Sequence, residues 1–193
     1  MRSRAASEVL LDASVLCLFA RAGHLPELRG YLGRRALMTR EVERELLRLL
    51  KRPEFASLED HLLRNGVVAS IEGKWPKLTK PLPDHLKADF ARLIHLKHRI
   101  GEHEWAHSGE IATVLMAEHR RSDLVIIDDD WGSDLASRTY GLAVMSTARL
   151  ALEMVVLGAL SEADGFRVFD SATPSEVGRE RFDVALRRLK EAG

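Results

Sequence analysis

"LVIIDDDWGSDLA", residues 124–136, decides how the rest of the chain is read. Four apolar residues, Leu124 to Ile127, run straight into Asp128, Asp129 and Asp130. A short, wholly apolar run bounded by charge reads as a strand buried on both faces, with a helix starting near Trp131. Three adjacent carboxylates raise one another's pKa and resist joint ionisation unless positive charge sits among them. The ordinary answer is a solvated turn in which one aspartate caps the next helix. A shared cation is the other.

Working outward, the same strand-then-helix rhythm recurs. "SGEIATVLMAEHRR" (108–121) reads as a helix capped by Ser108, and "AVMS" (143–146) as a strand followed by the helix "TARLALEMVVLGAL" (147–160). Towards the N-terminus, "EVLLDASVLCLFARAG" (8–23) predicts a strand ending near Leu11 and a helix entered through Asp12 or Ser14. "LPELRGYLG" (25–33) predicts a short helix, "RRALMT" (34–39) a strand, and Thr39 opens a helix with Val42, Leu46 and Leu49 on one face. Between 53 and 105 the pattern is less legible. "VVASIE" (67–72) suggests a strand, "GKWPKLTKPLPD" (73–84) has the chemistry of a loop, and "DHLKADFARLIHLKHRI" (84–100) is an amphipathic helix. The last thirty or so residues read as mainly helical. Apolar strands alternating with amphipathic helices predict an α/β fold, a parallel sheet covered by helices on both faces.

Composition bounds the class. The 193 residues suffice for one domain with a real core, and 46% hydrophobic with 30% charged residues is a globular balance. Lys plus Arg and Asp plus Glu number 29 each, so no global basic field advertises a nucleic-acid partner. Cys17 is the single cysteine, which excludes an intrachain disulfide framework and suggests a reducing, cytoplasmic setting. Asp12 interrupts the N-terminal apolar stretch, against an export signal, and no apolar run approaches the roughly 20 residues needed to span a bilayer.

In an open parallel sheet, functional groups gather beyond the carboxyl ends of the strands. Two strands here end in carboxylate: Asp12 follows one, Asp128 and Asp129 the other. If these strands are neighbours, their aspartates approach one another. Glu110 shares a helix face with Val114 and Ala117, at spacing i, i+4, i+7, so it looks inward and needs a partner. In "EVEREL", Glu41 and Glu45 lie on one edge of the apolar stripe and Glu43 on the opposite flank. Spacing alone does not choose among these three, and each also fits a solvated face.

Taken in order, Asp in "LLDAS", Glu in "VEREL", Glu in "GEIATVLMAE" and Asp in "LVIIDDDWGSDLASRTYGLAVMSTARLALEMVVLGAL" resemble a PIN domain. That family comprises metal-dependent ribonucleases, best known as toxins of bacterial toxin–antitoxin pairs. The likeness covers residues 8–50 and 106–160 and is closest to the branch with a "GEAEA"-like helix and an "IDD…A…LGL.V.GT" tail. It implies a PIN-like three-layer sandwich spanning 1–193, with a largely helical insertion at about 51–105 and a helical C-terminal extension at about 161–193. Carried over residue by residue, the resemblance places the metal-binding and catalytic carboxylates on Asp12, Glu45, Glu110 and Asp129, with Asp128 beside them. Ser14 matches a small polar position after the first Asp, and Ala13 stands where the family often has Thr. The implied activity is hydrolysis of RNA phosphodiesters, leaving a 5′-phosphate and a 3′-hydroxyl. Such a carboxylate set suits Mg²⁺ or Mn²⁺, hard cations that lower the pKa of a bound water and neutralise developing charge. The implied partners are an RNA substrate, a small antitoxin and a second copy in a homodimer.

Local positive charge for a phosphate backbone is available. Arg34, Arg35, Arg40, Arg44, Arg48, Lys51 and Arg52 surround the second strand and its helix, and His119, Arg120 and Arg121 end the Glu110 helix. Arg40 and Arg120 are the candidates for substrate contact, together with Ser14. Trp131 is a candidate for stacking on a base, against a role as a core anchor.

One competing motif carries chemistry of its own. "HEWAH" (103–107) matches the H-E-x-x-H zinc-peptidase signature, with His103 and His107 as ligands and Glu104 as base. Gly101 and Ser108–Gly109 cut the helix such a site requires, and no third ligand follows at a familiar spacing. The bland alternative is a pair of exposed histidines in a loop. A phosphoacceptor receiver domain would need a late strand ending in Lys, but "AVMST" ends in Ser and Thr; no G-x-x-x-x-G-K-[ST] phosphate loop is present. A catalytically silent PIN-like scaffold is the remaining alternative.

Overall fold

The computed structural model describes residues 8–49, 79–98, 108–173 and 175–192. Five short strands, β1 (Val9–Leu11), β2 (Ala36–Thr39), β3 (Thr79–Lys80), β4 (Leu124–Ile126) and β5 (Val144–Met145), pair in the order β3-β2-β1-β4-β5. Every neighbouring pair is parallel, with Leu10 opposite both Leu37 and Val125, and Leu11 opposite Ile126. Chain order runs outwards from β1 in one direction and from β4 in the other. The switch of direction therefore lies between the two strands that end in aspartate, where doubly wound sheets open a crevice at their carboxyl edge.

Helices cover both faces, as the sequence predicts. They are α1 (Ala13–Ala22), α2 (Leu25–Leu32), α3 (Arg40–Leu49), α4 (Lys87–His98), α5 (Ser108–Arg120), α6 (Asp130–Asp134), α7 (Thr147–Val156), α8 (Glu162–Ala172) and α9 (Gly178–Ala192). The period-two geometry of a strand sends alternate side chains to opposite faces. Val9, Leu11, Ala36, Met38 and Ile126 join one core with α1, α2, α3, α7, α8 and α9, built around Phe19, Leu150 and Phe182. Leu10, Leu37, Val125 and Ile127 join a second core with α4 and α5, where Ile111 and Leu115 are fully buried. Two cores separated by one sheet make a three-layer α/β sandwich.

Element boundaries follow local chemistry. Asp12 caps α1, Ser146 caps α7 and Ser161 caps α8, each side-chain oxygen accepting a backbone N–H of the first turn. Helix α5 ends in a Schellman turn: Arg121 takes φ +53° and the Ser122 N–H donates to the Ala117 carbonyl.

Three expectations shift. The helix read over 147–160 ends at Val156, and Gly158 beyond it takes a positive φ. "RRALMT" is strand only from Ala36, because Gly33–Arg35 form a 3-10 turn and the Arg35 guanidinium donates to the Tyr31 and Leu32 carbonyls at the end of α2. The "GKWPKLTKPLPD" stretch contributes the two-residue strand β3 rather than loop alone. An edge strand that short, next to Pro81 and Pro83, carries no period to read. The "VVASIE" stretch and the "HEWAH" motif lie outside the described residues. Among the described residues, no helix is long and apolar enough to cross a membrane.

Candidate metal centre

Asp12 leaves β1 at the carboxyl edge of the sheet, its N–H donating to the Ile126 carbonyl of β4 at 3.1 Å. Its carboxylate is divided. Oδ2 accepts the Ser14 hydroxyl at 2.8 Å and the Ser14 N–H at 3.2 Å, which is the helix cap. Oδ1 is buried and accepts no hydrogen bond among the described residues, although the residue is only 3% exposed. A buried carboxylate oxygen without a donor is costly unless a cation or proton meets it.

Two glutamates converge on that carboxylate. Glu45 comes from the middle of α3, whose Val42 and Leu46 are pinned in the first core. Glu110 comes from the first turn of α5 and is 8% exposed. One carboxylate oxygen from each of Asp12, Glu45 and Glu110 lies within 4.8 Å of the other two. Of the three glutamates left open by sequence, geometry selects Glu45. Glu41 faces Arg44 instead, at 4.0 Å.

The electrostatics record the crowding. Burial raises the Asp12 pKa, opposed by the two Ser14 hydrogen bonds. Glu45 is pushed up to about 8 by burial first and then by the Asp12 and Glu110 charges, with Arg48 and the Gly109 amide pulling the other way. The Cys17 thiol, one helical turn beyond Asp12, is pushed up to about 12 by burial and by the Asp12 and Glu45 charges. Burial and the two carboxylates thus disfavour its thiolate.

The donor set fits a hard divalent ion. Oxygens on a Mg²⁺ at about 2.1 Å lie roughly 3 Å apart when adjacent and about 4 Å when opposite. A set within 4.8 Å is close to that spacing and needs side-chain adjustment on the order of an ångström to close on such an ion. Three carboxylates without imidazole or thiolate favour Mg²⁺ or Mn²⁺ over Zn²⁺.

The three aspartates after β4 have other occupations. Asp128 Oδ1 accepts the Thr147 N–H at 2.7 Å and Oδ2 the Thr147 hydroxyl at 2.6 Å, tying β4 to the start of α7. Asp129 Oδ1 accepts the Gly132 N–H at 2.8 Å and caps α6. Asp130 is exposed. Two helix N-termini thus relieve a crowding that the sequence reading assigned to a shared cation, and neither Asp128 nor Asp129 belongs to the three-oxygen set.

Of the substrate candidates, Ser14 is adjacent to the centre but spends its hydroxyl on Asp12. Arg40 is exposed at the start of α3, directly after β2. Arg120 lies away from the carboxylates. It is ten residues along α5 from Glu110, about 15 Å at 1.5 Å per residue, and its guanidinium grips both oxygens of Glu8 at the amino end of β1. It belongs to the opposite edge of the sheet from the carboxylates. Trp131 is half-buried and packs against the second core, in line with the anchor reading.

Sequence reasoning missed Gly109. A Cβ there would fall inside contact distance of Glu45 Oε2 and 3.3 Å from Asp12 Oδ1. The available signal was a glycine in the first turn of an otherwise strong helix, where it costs stability relative to Ala.

No family model matches the chain, and no curated protein or solved structure matches it either.

Proposed function

We propose that this protein is a PIN-like, Mg²⁺- or Mn²⁺-dependent endoribonuclease whose metal centre is formed by Asp12, Glu45 and Glu110. The observation that carries the reading is the Asp12 Oδ1 atom, buried without a hydrogen-bond donor, on a carboxylate that meets two glutamates at the carboxyl edge of a parallel sheet. The order of these carboxylates along the chain, and their resemblance to the PIN pattern, favour RNA as the substrate.

When bound, the cation would supply Lewis-acid charge and a water acidic enough to attack phosphorus near neutral pH. The chain's own residues do the positioning. Ser14 orients Asp12, the α3 core contacts fix where Glu45 emerges, and the first turn of α5 presents Glu110. Arg40 and Arg44, exposed along α3, offer charge to the phosphates on either side of the scissile bond. By the same resemblance the protein acts in the cytoplasm as the toxin of a pair, held in check by a small antitoxin.

Labelled RNA incubated with the protein and Mn²⁺ is expected to be cut, with cleavage lost on adding chelator, not restored by Zn²⁺, and absent from Asp12→Asn. Mn²⁺ binding without cleavage of any RNA would favour the silent scaffold. Cleavage by Asp12→Asn at the wild-type rate would end the proposal.

A further inference from the structure

Gly109 sits between Ser108 and Glu110 in the buried first turn of α5, against the side chains that make the centre. Its backbone is ordinary helix; a positive φ is confined, among the described glycines, to Gly23, Gly33, Gly141 and Gly158. Conformational freedom therefore does not explain a glycine here. Space does. A Cβ at this position would overlap Glu45 Oε2, stand 3.3 Å from Asp12 Oδ1 and touch Val42 Cγ2 at 3.4 Å. Of these neighbours, Val42 is fully buried and Asp12 is held by Ser14 and by its backbone bond to β4. Glu45 is the group that would have to move.

We infer that Gly109 is the positioning residue of the carboxylate centre: its missing side chain is the space into which Glu45 turns to meet Asp12 and Glu110. The inference rests on the metal-centre reading above, and it goes beyond the acidic cluster because Asp12 Oδ1 is a separately observed, deeply buried oxygen without a donor that faces the same space. Helix α5 can approach α3 this closely only where one residue lacks a Cβ. A methyl at 109 makes α5 a better isolated helix, so any loss it causes comes from the displaced carboxylate and not from the helix.

The test is Mn²⁺ binding, read by electron paramagnetic resonance and by the Mn²⁺-induced rise in melting temperature, with far-UV circular dichroism as the measure of folding. Gly109→Ala is expected to weaken Mn²⁺ binding at least tenfold. Shortening the displaced side chain restores room, so Gly109→Ala/Glu45→Asp is expected to bind several-fold more tightly than Gly109→Ala, although Glu45→Asp alone weakens binding. Should Gly109→Ala fail to fold, the double variant is expected to fold and bind. Equal Mn²⁺ affinity in wild type and Gly109→Ala overturns the inference, as does a double variant that is no better than the single one or equally unfolded. If the wild-type protein itself binds no Mn²⁺, the metal-centre reading fails, which is a different result from a Gly109→Ala variant that still binds.

Discussion

Ser14 holds one oxygen of Asp12 and leaves the other without a donor, on a carboxylate that meets Glu45 and Glu110. The hydroxyl and N–H of Ser14 both donate to Oδ2, so the helix cap and the aim of Oδ1 are one interaction. Ser14→Ala keeps the backbone bond, loses the hydroxyl and frees the carboxylate to rotate. The expected result is a loss of about 1 kcal/mol in stability and a several-fold weaker Mn²⁺ affinity. Urea titration and calorimetry check the two effects, and Ser14→Thr should preserve both.

The pH dependence of stability has a defined sign. Asp12 and Glu45 both hold protons more tightly folded than unfolded, and Glu45 moves from 4.5 to about 8. The stabilisation from a protonated Glu45 is complete below pH 4.5 and is lost as pH rises towards 8. In chelator, unfolding free energy should therefore fall between these limits, by at most about 1.4 kcal/mol per pH unit for this group. Saturating Mn²⁺ requires ionised ligands, so it should flatten or reverse that slope. A slope untouched by Mn²⁺ across pH 5–8 would contradict the assignment of these carboxylates.

Asp128 and Asp129 should behave as structural groups. Asp128→Ala strands the Thr147 N–H and hydroxyl at the start of α7, for an expected loss of about 1–3 kcal/mol, with little change in Mn²⁺ affinity for the folded fraction. Asp129→Asn keeps an oxygen for the Gly132 N–H and removes only charge. Its Mn²⁺ affinity should stay within about threefold of wild type, because the residue lies outside the three-oxygen set. A tenfold loss would return Asp129 to the list of ligands.

The layered architecture was legible because each main strand is bounded by charge and each helix shows its apolar stripe. Val42 with Leu46, and Val125 with Ile126, carry that information locally. Asp12 was legible as the carboxylate that ends a strand, and Glu110 as one that shares a helix face with core residues. Spacing could not separate Glu45 from Glu41, since both sit beside the Val42–Leu46 stripe. That choice depends on where α5 crosses α3, a tertiary fact. Nor could the sequence reveal that Thr147, nineteen residues on, supplies both donors to Asp128. The side on which Arg120 lies was not legible, because a basic cluster at the end of a helix reads identically at either edge of a sheet.

The last rung between β1 and β4 is the Asp12 N–H on the Ile126 carbonyl. Backbone pairing and ligand placement are therefore a single constraint. Sliding β1 by one residue would turn Leu10 and Leu11 into each other's core and carry Asp12 away from Glu45 and Glu110. The strand alignment at the centre of the sheet and the meeting of the Asp12, Glu45 and Glu110 carboxylates therefore stand or fall together.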